Sequence, residues 1–205
     1  ANYMLMVDNL MDLTHLGYVH RKTIGGDPDT HVAAEMKTRP TENGAHFIRW
    51  MPDCEPPPTF VKAAGFTGRV DRWQEFEYFA PGIVLQWSGG IDVGKGAREN
   101  RDQEGLHWRL LHGATPETEN TFHYFWSSAN GYRQDDPQAT QEMYDEIYPS
   151  YTEDKNMMEA QQRRIDLDPA RGLVAIRSDS ALALARIAID RMIEKDQARI
   201  AQAAE

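Results

Sequence analysis

Apolar positions near the start of the chain recur with helical spacing, since Val7, Leu10, Met11 and Thr14 fall at i, i+3, i+4 and i+7. Ahead of them, Tyr3 to Val7 reads as a short strand or connector. Beyond residue 30 the period changes to two. Thr30 to Lys37 and Gly44 to Met51 read as strands, Arg72 to Phe79 alternates strongly, and Ile83 to Trp87 follows. Leu106 to His112 and Thr121 to Trp126 flank a Pro-containing turn, as in an antiparallel hairpin. On the first of these strands Trp108, Leu110 and His112 share one face, and His107, Arg109 and Leu111 the other. Turn formers at Gly25-Gly26-Asp27-Pro28-Asp29, an extended Pro56-Pro57-Pro58 and a polar loop from Gly89 to Gly105 separate these elements.

The last third is helical. Ser150 with Glu153 three residues later fits a capping box, so a helix is expected to start there, with Asp154, Met158, Gln161 and Ile165 on one face. Ser180 to Ala204 reads as a long terminal helix with Leu182, Ile189, Ile193 and Ile200 on its inner stripe. Strands followed by long helices predict an α+β fold, and 205 residues suffice for one domain with a substantial core.

Composition narrows the function. A net charge of −10 disfavours nucleic acid and anionic membrane as partners, and no apolar run has membrane-spanning length. The single cysteine, Cys54, excludes an internal disulfide framework and, with no export signal at the start, predicts a cytoplasmic protein.

The candidate chemistry lies in Val7 to His20, where two carboxylates, an amide and two imidazoles sit among apolar residues. Burying such groups is costly without a metal or partner. Asp12 and His15 are three apart and share a side of a helix. His15 and His20 are five apart, which on a regular helix diverge by about 140°. The helix must therefore end or bulge between them, and Gly17 permits this. A third ligand has to come from elsewhere. Gly89-Gly90-Ile91-Asp92-Val93-Gly94-Lys95-Gly96 mimics a phosphate loop, but Gly96 stands where Ser or Thr would hold magnesium, so it reads as a flexible loop over a pocket.

Asn9-x-x-Asp12-x-x-His15-x-x-x-x-His20 resembles the mononuclear iron motif of Rieske non-haem iron oxygenases, in the branch of the vanillate and dicamba O-demethylases. The likeness continues through Thr115-Pro116-Glu117-Thr118-Glu119, His123-Tyr124-Phe125-Trp126 and Thr152 to Gln162. It implies a curved antiparallel sheet wrapped by helices, a helix-grip or START-like catalytic domain. It also implies that His15, His20 and Asp154 hold ferrous iron as two imidazoles and one carboxylate, with Asp154 near the start of its helix. By the same resemblance Asn9 lies beside the iron, and Asp12 relays electrons from the 2Fe–2S Rieske cluster of a neighbouring subunit in a homotrimer. His112 and Gln86 would contact substrate.

The resemblance implies the oxygenase component of a system that uses dioxygen and a ferredoxin or reductase to hydroxylate or O-demethylate a small, vanillate-like aromatic. A Rieske cluster needs two Cys and two His, which one cysteine cannot supply, so an N-terminal Rieske domain is expected outside residues 1–205. Bland readings stand beside these. Asp12 also fits a partner that fixes an imidazole tautomer, and His112 a strand histidine packed beside Trp108. A non-catalytic ligand-binding domain of the same fold is the alternative function. A 2-oxoglutarate oxygenase fits less well, because its His-x-Asp pair sits on a strand, and a zinc hydrolase lacks a Glu between the histidines.

Overall fold

The computed structural model describes residues 1–101 and 104–203. Six antiparallel strands follow one another as a meander in the order β1 to β6. They are β1 (Glu35–Thr41), β2 (Gly44–Cys54), β3 (Val70–Phe79), β4 (Ile83–Asp92), β5 (Leu106–Pro116) and β6 (Phe122–Asn130). The hairpin read from the sequence is β5 with β6, where His112 pairs with Trp126. The sheet is open and curved. Helices α1 (Tyr3–Met11), α2 (Leu16–Val19), α3 (Pro28–Ala33), α4 (Pro58–Ala64), α5 (Ala97–Asn100), α6 (Pro137–Leu167) and α7 (Ser180–Ala203) complete it. This is the α+β architecture that the period change predicts. Among the described residues no helix is long and apolar enough to cross a membrane.

The core forms where α1 and α7 lie on the sheet. Met6, Val7 and Met11 of α1 pack with Phe47, Phe76 and Tyr78, all almost fully buried. Phe47 and Phe76 stack with centroids 5.1 Å apart, a geometry that adds to their area burial. Ala181, Ala185 and Ile189 are the buried positions of α7; the two alanines at i and i+4 let its backbone come close to the sheet. Ile193 and Ile200, expected on the inner stripe, are 47% and 66% exposed. The buried positions all fall in the first half of a helix about 36 Å long, so its second half runs past what it packs on. The last residue of the expected helix, Ala204, lies outside the described residues.

Four other expectations change. Tyr3 to Val7 is helical, because the Asn2 side chain accepts the Met4 N–H and caps α1 two residues from the end of the chain. Thr30 to Lys37 is split: Pro28, at the first turn, starts α3, and the strand begins only at Glu35. Ser150 does not start a helix. Asp136 caps α6 from the Gln138 N–H, and Pro137 opens it. Ser150 lies mid-helix, beside Pro149, with its hydroxyl donating to the Ile147 carbonyl at 2.6 Å. Finally, the predicted loop from Gly89 begins as the end of β4, which reaches Asp92. A Cβ on Gly89 would come within 2.3 Å of the Trp73 ring, so glycine there makes room for an aromatic. Asp102 and Gln103 of that loop lie outside the described residues.

Candidate metal centre and its cavity

Asp12 breaks the first helix. α1 ends at Met11, and the Asp12 carboxylate accepts the Thr14 N–H at 3.0 Å, capping a short 3₁₀ turn over Leu13–His15 that runs into α2. The break comes before His15, not at Gly17 as the spacing suggests. Gly17 has a different duty: a Cβ there would lie 2.4 Å from the Pro28 Cα, so glycine lets α3 pack on α2. The 3₁₀ turn winds faster than an α-helix, and it brings His15 and His20 together with ring centroids 5.3 Å apart.

Asp154 arrives from the middle of α6, well away from the helix start that the sequence implied. One ligand atom from each of His15, His20 and Asp154 lies within 4.8 Å of the others. Asp154 Oδ1 is 2.9 Å from His20 Nε2 and 3.6 Å from His15 Nε2. Asn9 Nδ2 donates to the same oxygen at 3.0 Å. Each imidazole is held from behind: His15 Nδ1 donates to the Asp12 main-chain carbonyl at 2.6 Å, and His20 Nδ1 to Glu153 Oε2 at 2.7 Å. Both Nε2 atoms are thereby turned toward Asp154. Such outer hydrogen bonds fix the tautomer and aim of a ligating histidine.

The donor set suits iron: two imidazoles and a carboxylate with the remaining directions open. Burial works against a charge on His20, but the hydrogen bonds and charges of Asp154 and Glu153 outweigh it and raise its pKa. His15 moves the other way, because burial prevails over Asp154 and the Asp12 carbonyl.

These residues form one wall of a cavity whose other wall is the sheet. Phe76, Gln86, Ser88, Trp108, Leu110 and His112 line it from β3, β4 and β5. His112 and Gln86, both expected at a substrate site, bond to each other at 2.9 Å, and His112 Nδ1 meets the Tyr124 hydroxyl at 2.6 Å. Burial lowers His112 to about 4, so it is neutral. The described part of the loop after Asp92 does not line the cavity. It lies against Trp50, with Arg98 4.7 Å from that ring, which leaves the expected lid without support.

The sequence reading missed four residues here. Glu153 orients His20, as above, although it stands next to the predicted ligand. His31 is almost fully buried and donates through Nε2 to the Gly25 carbonyl at 3.0 Å; burial and the Arg72 charge lower it to about 3. Arg49 donates to the His31 carbonyl at 2.5 Å, and Arg72 to the Ile24 and Gly25 carbonyls at 2.7 and 2.9 Å. One signal could have found Arg72: by period two it shares a face with Gln74 and Phe76 on a strand otherwise rich in aromatics.

Comparison with known proteins adds a family. The model of the vanillate O-demethylase oxygenase C-terminal domain matches residues 1–195. A putative toluene-4-sulfonate monooxygenase system iron-sulfur subunit of Comamonas testosteroni is 34% identical over 198 residues, covering 96% of this chain and 57% of that protein. A vanillate O-demethylase oxygenase subunit of a Pseudomonas species is 31% identical, covering 98% of this chain and 62% of its own length. The crystal structure of dicamba monooxygenase bound to 3,6-dichlorosalicylic acid superposes with a TM-score of 0.86 at 26% identity, over 97% of this chain and 57% of that one. The chain thus spans little more than half the length of the curated relatives it matches. Within that span it belongs to the vanillate O-demethylase oxygenase C-terminal domain family.

Proposed function

We propose that these residues form the catalytic domain of a Rieske-type aromatic oxygenase, which hydroxylates or O-demethylates a small aromatic at ferrous iron. One observation carries the reading: His15, His20 and Asp154, from elements well over a hundred residues apart in sequence, bring three ligand atoms within 4.8 Å of one another at the edge of a largely apolar cavity. The names of the relatives, a sulfonate monooxygenase subunit and a vanillate O-demethylase subunit, agree with it.

When bound, iron supplies the activation of dioxygen. The chain's own residues supply the frame. The Asp12 carbonyl and Glu153 hold the two imidazoles in the Nδ1–H tautomer, and Asn9 steadies Asp154. Leu10, Leu13, Phe76, Trp108 and Leu110 exclude water and cover an aromatic ring. His112 and Gln86 present polar atoms from the sheet wall. Asp12, half-buried and hydrogen-bonded to Thr14, sits behind His15 where electrons would enter. The 2Fe–2S cluster belongs to another segment or chain, since Cys54 is the sole cysteine here and is buried. A homotrimer, in which Asp12 meets a neighbour's cluster, completes the reading, with a reductase as electron source.

The test is reconstitution. Iron-loaded protein, a separately produced Rieske protein of this family, a reductase and NADH are mixed in air with vanillate or toluene-4-sulfonate. Product formation, as formaldehyde or an aryl alcohol, that is lost in Asp154→Ala is the expected result. Uncoupled NADH consumption without product from every aromatic tried would overturn the reading.

A further inference from the structure

Helix α6 carries a stripe of tyrosines that leads to the metal centre. Tyr144, Tyr148, Tyr151 and Asp154 follow one another at spacings of four, three and three residues, so they share a side of the helix. Across from them β6 alternates, and its Tyr124 and Trp126 fall on one face. The rings meet. Between centroids, Tyr151 is 4.7 Å from Trp126 and 5.8 Å from Tyr124, Trp126 stacks on Tyr144 at 5.6 Å, and Tyr144 stacks on Tyr148 at 5.4 Å.

One end of this run touches the cavity and the other touches solvent. Tyr151 lines the cavity together with His15, His20 and Asp154, and it also lines a second pocket, of about 360 Å³, with Tyr124, Trp126 and Tyr148. Its buried hydroxyl has no hydrogen-bond partner among the described residues. Tyr144 and Tyr148, by contrast, are 44% and 50% exposed. Packing accounts poorly for such rings, because half-exposed side chains bury little area. Tyrosine and tryptophan are also the ring side chains that give up an electron most readily. Electron tunnelling weakens exponentially with distance, so a series of ring contacts carries charge farther than one long step.

We propose that Tyr151, Trp126, Tyr144 and Tyr148 conduct electrons from a small thiol in solution to the metal centre, which then discharges hydrogen peroxide when the cavity holds no aromatic. The inference rests on the oxygenase reading for the iron and goes beyond it by adding a peroxidase activity. Peroxide takes two electrons and two protons and becomes two waters; two thiols lose the same electrons and protons and become one disulfide. The electrons move inward ring by ring. Tyr151 reduces the oxidised iron. Because its hydroxyl has no partner to take the proton, the oxidised charge does not settle there, and Tyr151 recovers its electron from Trp126. Trp126 draws in turn on Tyr144 and Tyr148. These exposed phenols can release a proton to water, so the charge comes to rest at the surface, where the thiol returns both electron and proton.

The experiment adds hydrogen peroxide, without thiol, to the iron-loaded 205-residue chain and maps oxidised side chains by peptide mass spectrometry. Tyr144 and Tyr148 are expected to be marked ahead of Tyr18, which is 69% exposed but outside the run of rings. Added dithiothreitol should erase the marks and be consumed with the peroxide in equal amounts. Metal-free protein should stay unmarked. Trp126→Phe keeps a ring that is much harder to oxidise; it should spare Tyr144 and Tyr148 and move the marks to Tyr151 and the ligand histidines, with iron content unchanged. Tyr18 marked as strongly as Tyr144 and Tyr148, the same marks without iron, or unchanged marks in Trp126→Phe would each overturn the proposal. So would marks that stop at Tyr124, whose hydroxyl meets His112 Nδ1 at 2.6 Å and can pass its proton there. The wild-type and metal-free arms decide the matter if the variant does not fold. Iron content is measured on the same samples. Iron bound with Tyr144 and Tyr148 unmarked would overturn this inference and leave the oxygenase reading standing, whereas a chain that holds no iron would overturn both.

Discussion

The two walls of the cavity hold their titratable groups among different partners. On the helical wall, Asp154 and Glu153 flank His20 and raise its pKa, while burial lowers that of His15 beside it. On the sheet wall, burial pushes His112 down to about 4; outside the cavity lining, His31 of α3, hydrogen-bonded to the buried Arg49, falls to about 3. The difference teaches a division of labour. The helices build a donor set that a cation can enter by displacing a proton, whereas the sheet wall keeps its imidazole, His112, neutral.

Acid should expose the contrast most strongly. His31 and His112 are neutral in the fold, while in the unfolded chain they take up protons below about pH 6.5. The unfolded state therefore binds more protons, and stability is lost as pH falls from about 6.5 toward 4, on the order of 2 to 3 kcal/mol for each buried imidazole. His20 works in the opposite sense, because its raised pKa favours the fold as pH drops. Urea unfolding of the metal-free protein at several pH values should give this slope, and His31→Gln should flatten it. A stability independent of pH between 6.5 and 4 would remove the distinction between the walls.

Trp108→Ala tests the sheet wall alone. Trp108 is 3% exposed and meets Phe60 edge-on at 5.1 Å. Its truncation should cost about 3 to 5 kcal/mol by chemical denaturation, yet leave iron content unchanged where the protein remains folded. Iron lost in step with stability would mean that the walls are not separable.

Glu153→Ala tests the helical wall. Its side chain is 40% exposed, so stability should change little. Iron affinity should fall about tenfold to a hundredfold, because His20 loses the partner that aims it. Unchanged affinity, measured by competition with a chelator, would show that Glu153 does not orient the ligand. Asn9→Ala should have the smallest effect, a few-fold weakening of iron with the same assay, since it removes one neutral donor to Asp154.

Much of this was readable in the residues. Alternation in Leu106 to His112 gave a true hairpin, and the change from period two to helical spacing gave the fold class. The imidazoles and Asp154 came from a spacing that resembles a family motif, and the structure brings them together. What stayed hidden depends on neighbours distant in sequence. Nothing local tells that Glu153 turns toward His20 while Asp154 beside it turns toward the centre. Ser150 looked like a cap because the real one, Asp136, precedes a helix whose interior proline breaks the usual pattern. His31 and Arg49 carry no local signal at all; their meaning comes from each other and from the carbonyls of the Ile24 to Gly25 turn.

The central claim is the iron site, and metal analysis of protein purified without oxygen and loaded with ferrous iron tests it most directly. The wild type, His15→Ala and Asp154→Ala are compared. The account predicts close to one iron per wild-type chain and loss of iron in both variants, with each still folded by circular dichroism. A wild type that holds no iron, or iron that survives both substitutions, would contradict it.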